Sequence, residues 1–297
     1  MAPVLQERSL VLQAPAKINL YLKIVGRRPD GYHELVSLMQ KVALYDELTL
    51  SLTAQTGISL SCSGAAALPV DERNIAFRAA QLFLTHIGRA GQGVRIVLHK
   101  HIPMAAGLGG GSSDAAAVLK GLNQLLATNC STEKLAAIAV RLGADVPFFV
   151  HDLPAAWATG IGERLQAAQP LCGYQVLLVN PGIDISTKWA YETFALTAGT
   201  KKFNLFSFAS ESGSRLKQGL FRPEEMVNDL EGVSVGQHRV IGILKHRLLR
   251  AGAAGAMMSG SGSTVFALFA RDAAAQAEAC RQELQAEYRQ TYLVQPL

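Results

Sequence analysis

Between His101 and Leu119 the chain reads HIPMAAGLGGGSSDAAAVL. Gly107, Gly109, Gly110 and Gly111 run straight into Ser112, Ser113 and an alanine-rich stretch. That pattern suits phosphate. Glycines remove the Cβ atoms that would keep backbone N–H groups from closing on oxygens. A helix start adds unpaired N–H groups and the positive end of the helix dipole. The spacing predicts that helix over 112–126, with Ser112 and Ser113 as hydroxyl donors and candidate caps. The segment lacks the Gly-Lys-[Ser/Thr] ending of a P-loop. It also lacks the dinucleotide fingerprint, with its acidic residue about 20 positions on. A tightly packed turn is the competing reading. Asp114 falls in the expected first turn, where a carboxylate suits the dipole. It would repel a phosphate unless a lysine or a cation such as Mg2+ intervened.

Three other segments hold candidate chemistry. Pro15–Leu35 reads PAKINLYLKIVGRRPDGYHEL, with Lys17 and Asn19 as polar residues in an apolar strand. Residues two apart share a strand face, so both can point into one site. Lys17 there would serve a phosphate or a catalytic carboxylate; the alternative is a solvated lysine on an edge strand. Leu142–Val150, LGADVPFFV, sets Asp145 between Gly143 and Pro147 in apolar surroundings. It reads either as a functional carboxylate or as a local cap or turn former. Met258–Thr264, MSGSGST, is a second glycine/serine loop, which alone is no more than a turn.

The elements that must hold these residues are legible in part. Apolar runs predict strands over 10–13, 18–25, 35–44 and 47–53, with a turn at Arg28-Pro29-Asp30-Gly31. Ile75, Ala79, Leu82 and Phe83 recur at helical spacing, and Asn74 can cap that helix. A strand over 94–99 leads into the glycine-rich stretch. Ser131 or Thr132 caps a helix ending near Gly143, and Pro147–Val150 reads as a short strand or loop. Gln169–Pro170 marks a boundary, giving domains 1–168 and 169–297. Beyond it come a strand (174–179), a helix (187–196), a polar loop (197–219), a helix (237–251), a strand (264–270), a helix (272–287) and a strand (291–295). Mixed elements in both halves predict an α+β, two-lobe fold.

Composition narrows the function. The chain has 297 residues, 49% hydrophobic and 17% charged, which excludes disorder and permits a sizeable core. A net charge of +5 favours anionic ligands. Scarce aromatics and the lack of any long Lys/Arg run argue against nucleic acid. Cys62, Cys130, Cys172 and Cys280 show no CxxC spacing, so inert thiols in a reducing compartment are expected, without zinc or disulfides. No apolar run reaches about 18 residues and no signal-peptide pattern opens the chain. The expectation is a cytoplasmic enzyme, monomer or homodimer, with a small-molecule substrate and no membrane partner. The residues alone indicate no metal ligands.

PAKINL, PMAAGLGGGSS and MSGSGSTVF, in this order, resemble the three motifs of the GHMP kinase superfamily. DGYHEL, GLGGGSSDAAAVL and LGADVPFF are similar to its branch acting on a cytidyl-linked polyol in non-mevalonate isoprenoid synthesis. The resemblance implies a ribosomal-protein-like α/β N-lobe that binds ATP and a ferredoxin-like C-lobe for the substrate. It implies transfer of the γ-phosphoryl group of ATP, bridged by Mg2+, to the 2-hydroxyl of an erythritol moiety. By motif position Asp145 is then the catalytic aspartate and Lys17 the lysine beside it. Asn19 contacts substrate; Tyr32 and His33 hold and stack the cytosine, with Tyr191 on its other face and Thr187 one turn before. The nucleotide falls to Pro103, Met104, Ala105, Ala106, Gly107, Leu108, Gly109, Gly110, Gly111, Ser112 and Ser113, with Asn74 and Lys100 near the adenosine. Ala105 and Ala106 stand where some relatives carry glycine, and Tyr191 where others carry phenylalanine. A homoserine- or mevalonate-type kinase would share the chemistry; the Tyr32-His33 pair favours a cytidyl acceptor. Retention of Lys17 and Asp145 argues against a catalytically dead ligand sensor.

Overall fold

Two long strands, β1 (Ser9–Arg27) and β2 (His33–Thr53), replace the four short ones expected. Apolar residues are buried along nearly the whole of both, so nothing ends either strand early. The turn between them is as read from the sequence. Gly31 takes φ +88°, a left-handed value that costs glycine nothing. Its N–H reaches the Arg28 carbonyl at 3.0 Å, and Asp30 Oδ1 accepts the Tyr32 N–H at 3.1 Å. The computed structural model describes residues 8–64, 68–197 and 221–297. From position 198 the polar loop expected over 197–219 lies outside them.

The chain forms two compact units, and neither is a continuous stretch. One comprises 1–16, 44–102 and 109–152; the other comprises 17–43, 103–108 and 153–297. The sequence offered a single cut near 169. The structure divides differently because β1 and β2 are each long enough to belong to both units.

In the first unit β4 (Gly93–His99) lies between β2, antiparallel, and β3 (Ile58–Ser63), parallel. The helices are α1 (Ile75–His86), α2 (Gly110–Leu125), α3 (Thr132–Ala139) and α4 (Val146–Val150). α1 packs on α2, and α4 on α2 and α3. Phe83, Leu119, Leu122 and Phe148 are buried, as are Leu48, Leu50, Ile96 and Leu98 of the strands. Gly121 lets α2 sit close: a Cβ there would come within 2.5 Å of Leu50 Cδ1 and 2.6 Å of Leu12 Cδ1. The segment 147–150, expected as strand or loop, is helical. Pro147 falls in its first turn, where its fixed φ and missing N–H are tolerated.

In the second unit β2 pairs with β5 (Ala155–Thr159), and β5 with β6 (Arg164–Ala167), both antiparallel. β1 pairs with β2 and, at Tyr21 and Leu22, in parallel with β8 (Val227–Asn228). A four-stranded antiparallel sheet contains β7 (Tyr174–Asn180), β9 (Gly255–Met258), β10 (Val265–Ala270) and β11 (Gln290–Val294), in the order β11-β7-β10-β9. Between β7 and β9 come α5 (Thr187–Thr197), α6 (Glu231–Gln237) and α7 (Arg239–Arg250); α8 (Ala274–Glu287) precedes β11. α7 and α8 pack on this sheet. The strand order and crossovers are those of a ferredoxin-like fold, as expected. Its core joins Leu177 and Val179 to Ile241, Leu244, Leu248, Val265, Phe269 and Leu284.

The four cysteines are all free; Cys280 is buried and Cys172 exposed. Among the described residues no helix is long and apolar enough to cross a membrane.

Candidate active site

Lys17 and Asn19 follow one another on one face of β1, and both are 3% exposed. The solvated-lysine reading therefore fails. Lys17 Nζ donates to Asn19 Oδ1 at 2.5 Å. Asn19 Nδ2 donates to Ser37 Oγ at 2.8 Å, and Ser37 Oγ in turn to the Tyr21 carbonyl at 2.7 Å. With both amide ends engaged, Asn19 is fixed in orientation.

The same unit brings the two glycine loops together around this pair. The Lys17 N–H donates to the Leu108 carbonyl at 2.9 Å. The Asn19 N–H donates to Ser259 Oγ at 3.3 Å, and Ser259 Oγ to the Gly107 carbonyl at 2.9 Å. The Thr264 N–H reaches the Ala106 carbonyl at 3.3 Å. Gly107 lies so close to the second loop that a Cβ would sit 1.9 Å from the Ser259 carbonyl oxygen, and its φ is +74°. Ala105 takes φ +46° without being glycine. A left-handed L-residue costs roughly 1–2 kcal/mol, so the alanine noted in the sequence stiffens this loop at some cost. Asn228 braces the second loop, donating through Nδ2 to the carbonyls of Met258 at 2.7 Å and Gly260 at 2.8 Å. The MSGSGST segment is thus part of the site and not a free turn. Ser37, Asn228 and Ser259 were missed. Ser37 carries no sequence signal, but Ser259 lies second in the MSGSGST motif.

His33 and Tyr191 meet in this unit too, ring centroids 5.4 Å apart and planes 28° from parallel. A base sandwiched between them would need about 7 Å, two stacking distances of about 3.5 Å. At 5.4 Å the two rings leave no room for a base between them as they stand, so a base would part them or stack outside. His33 Nε2 is buried without a hydrogen-bond partner. Burial, helped by Arg27, lowers the His33 pKa, so the imidazole favours its neutral form. Tyr32, by contrast, is 61% exposed. Thr187 Oγ1 lies 3.0 Å from Ser261 Oγ, which ties the start of α5 to the second loop.

The other unit holds the exit of the first glycine loop. α2 begins at Gly110, two residues earlier than expected, after Gly109 at φ +70°. Ser112 and Ser113 are consequently inside the first turns and cap nothing. Gly109 has no side chain to offer, so no N-cap side chain closes off the first N–H groups of α2. Asp114 lies beyond the first turn, which removes its dipole role. It is buried on Lys100 at 2.7 Å, so a lysine does offset the charge of this carboxylate. Lys100 Nζ also pairs with Asp46. Burial works against the charged lysine, but the carboxylates of Asp114 and Asp46 outweigh it and raise its pKa. The Lys100 ammonium, expected beside the adenosine, is committed to these two carboxylates.

Asn74 caps α1 as expected, its Oδ1 accepting the Ala76 N–H at 2.9 Å while Nδ2 donates to the Pro69 carbonyl at 2.9 Å. Its amide thus has a structural use beside the nucleotide role implied for it. Asp145 stands at the N-cap of α4, half-buried, yet its side chain accepts no helix N–H. The side-chain cap is therefore absent, while the turn-former reading stands, since 144–145 form a turn.

Comparison with known proteins adds a separate line of observation. Residues 74–152 match the family model described as GHMP kinases N terminal domain, and residues 208–290 match GHMP kinases C terminal. The chain is similar to a 4-diphosphocytidyl-2-C-methyl-D-erythritol kinase of Desulfotalea psychrophila, 50% identical over 88% of this chain and 86% of that one. It is 47% identical to the kinase of the same name from Syntrophotalea carbinolica, over 90% and 91%. Among solved structures, a 4-(cytidine 5'-diphospho)-2C-methyl-D-erythritol kinase aligns with TM-score 0.74 and 34% identity, covering 96% of this chain and 98% of that one. A homoserine kinase from Cytophaga hutchinsonii aligns with the same TM-score at 20% identity, over 97% and 95%, and shares the fold.

Proposed function

The chain belongs to the GHMP kinases, in the family of the 4-diphosphocytidyl-2-C-methyl-D-erythritol kinases, and from that premise we propose how its residues carry out the reaction. It transfers the γ-phosphoryl group of ATP to the 2-hydroxyl of 4-diphosphocytidyl-2-C-methyl-D-erythritol, in the cytoplasm. The acceptor oxygen attacks the γ-phosphorus, the bond to the β-phosphate oxygen breaks, and ADP leaves. Such transfers pass through a loose transition state, so positioning and charge stabilisation supply most of the rate.

The observation that supports this best is the run of hydrogen bonds from Lys17 through Asn19 and Ser259 to Gly107. It holds a buried ammonium in register with a glycine loop before any ligand arrives. Lys17 counters the charge of the transferring group. Gly107 to Ser113 give backbone N–H groups to the polyphosphate. Asp145 orients the acceptor hydroxyl and takes its proton. Tyr191 and His33 receive the cytosine by stacking and hydrogen bonding.

Mg2+ belongs to the proposal. Ser112 and Ser113 set two hydroxyl oxygens at the start of α2, and Ser113 Oγ has no partner. Oxygen donors of this kind suit Mg2+, which is usually bound through substrate phosphates plus one or two protein groups. When bound there it neutralises charge on the phosphates.

A coupled assay of ADP release tests the reading. The wild type should turn over the cytidyl acceptor. Asp145→Asn should lower kcat about 10²–10⁴-fold, the usual value of a proton acceptor, with ATP affinity by calorimetry unchanged. Near wild-type turnover would overturn the role of Asp145.

A further inference from the structure

The mechanism above leaves one buried, charged cluster unused. Asp46 of β2 is fully buried, and its two oxygens do different things. Oδ1 accepts the backbone N–H groups of His101 at 2.6 Å and Ile102 at 2.9 Å. Oδ2 pairs with Lys100 Nζ, which pairs in turn with Asp114 Oδ2 on α2. Lys100–Ile102 is the stem by which the chain goes into the first glycine loop, and Gly110–Asp114 is the stem by which it leaves. Packing between the stems is equally tight: a Cβ on Gly110 would lie 3.0 Å from Ile102 Cγ2 and 3.2 Å from Lys100 Nζ.

Two carboxylates on one ammonium leave an excess negative charge in a dry place, and Asp114 Oδ1 has no hydrogen-bond partner. Replacing such an ion cluster with apolar residues is often neutral or stabilising. Stability is therefore a poor reason for it. A loop that must present its N–H groups at fixed positions is a better one, since closing its ends beforehand removes that ordering cost from ligand binding.

We propose that Asp46 is a positioning residue for the nucleotide: with Lys100 and Asp114 it forms a buried staple that holds the two stems of the glycine loop together. The inference rests on the reading of that loop as the ATP site. Asp46 touches no substrate. Its Oδ1 fixes the incoming backbone, its Oδ2 fixes Lys100, and Lys100 fixes the start of α2.

The test compares Asp46→Ala with Asp46→Asn. Asparagine keeps an oxygen for the His101 and Ile102 N–H groups but turns amide N–H donors toward the Lys100 ammonium, so it loses that pair alone; alanine loses both functions of Asp46. Misplacement of binding groups by about 1 Å can cost about 100-fold. Asp46→Ala should therefore raise KM for ATP and the Kd of a non-hydrolysable ATP analogue by about 10- to 100-fold. KM for the cytidyl acceptor should stay within about twofold, and Asp46→Asn, which keeps the Oδ1 function alone, should fall between wild type and alanine. A purely structural role would move both KM values alike and follow the loss of Tm. Unchanged ATP affinity in a folded Asp46→Ala, or equal loss for both substrates, overturns the staple. Should alanine fail to fold, Asp46→Asn together with Lys100→Met decides. The staple requires a selective ATP defect in both, the smaller one in the first, and unchanged ATP affinity in either rejects it. Gly110→Val separates the underlying reading: if it leaves analogue affinity intact, the loop is not the ATP site, whatever the Asp46 variants do.

Discussion

Gly107→Ala asks the most of the smallest change. The new Cβ would sit 1.9 Å from the Ser259 carbonyl oxygen, 2.9 Å from its carbon and 3.1 Å from the Gly262 nitrogen, all of them backbone atoms. An ordinary carbon–oxygen approach is about 3.3 Å, so one loop must retreat by roughly 1.4 Å. Two costs add. Holding alanine at φ +74° costs about 1–2 kcal/mol, and forcing backbone aside in a packed site costs about 1–3 kcal/mol. The sum is about 2–5 kcal/mol. At about 2 °C per kcal/mol for a chain of this size, Tm should fall by roughly 4–10 °C. The retreat should also lower kcat/KM for ATP by about 100-fold, because the N–H groups leave their places. Gly252→Ala is the control. Gly252 has φ +96°, but an added Cβ would meet nothing within 4 Å, so alanine there incurs the dihedral cost alone. The assay is thermal unfolding plus steady-state kinetics with varied ATP on both variants. If Gly107→Ala loses no more Tm than Gly252→Ala and keeps kcat/KM for ATP, the close approach of the two loops has no bearing on the nucleotide.

The remaining predictions bear on separate parts of the site. Tyr191→Ala should weaken CDP and the cytidyl substrate by about 1–3 kcal/mol, the usual value of a base–aromatic stack, with ATP affinity unmoved; calorimetry showing equal loss for CDP and ATP would contradict it. Lys17→Met should lower kcat more than it raises either KM, since its charge counts most in the transition state; a pure KM effect would show that Lys17 only binds. Burial, opposed by Lys100 and reinforced by Asp46, raises the Asp114 pKa from 3.8 to about 7. The folded protein then holds this proton more tightly than the unfolded chain, so the stability it adds is full below about pH 4 and is lost as pH rises through about 7. Wild type should lose stability relative to Asp114→Asn across that window, measured by urea unfolding at several pH values; parallel curves would contradict it.

Three of the four strands of the ferredoxin-like sheet are legible because they are short, apolar and bounded by turn residues, as at Tyr174–Asn180 before Pro181-Gly182, whereas β9 (Gly255–Met258) is not among the expected strands. The sequence misjudged β1 and β2 because local pattern reading splits a long strand wherever a polar residue interrupts it. Those interruptions include Lys17 and Asp46, which, with Asn19 inside the strand expected over 18–25, are positions to which roles are proposed. Two of them stand out because they lie in the PAKINL motif. Asp46 does not stand out in YDELTL, where a carboxylate looks solvated until the partner from Lys100 arrives across 54 positions. The start of α2 was misplaced for a related reason. Glycine has low helix propensity, so Gly110 and Gly111 read as loop, while the structure uses them as a first turn without side chains. His33 and Tyr191 were paired through the resemblance, but no spacing rule could show that their rings touch.

The most direct measurement is the specificity constant for three acceptors at saturating ATP: 4-diphosphocytidyl-2-C-methyl-D-erythritol, homoserine and mevalonate. A site that recognises the cytosine through Tyr191 and His33 should turn over the first with kcat/KM at least about 10³-fold above the others, because groups built to pair with a polar ligand reject one that lacks it. Comparable constants for homoserine or mevalonate, or no ADP release with the cytidyl compound, would contradict the account.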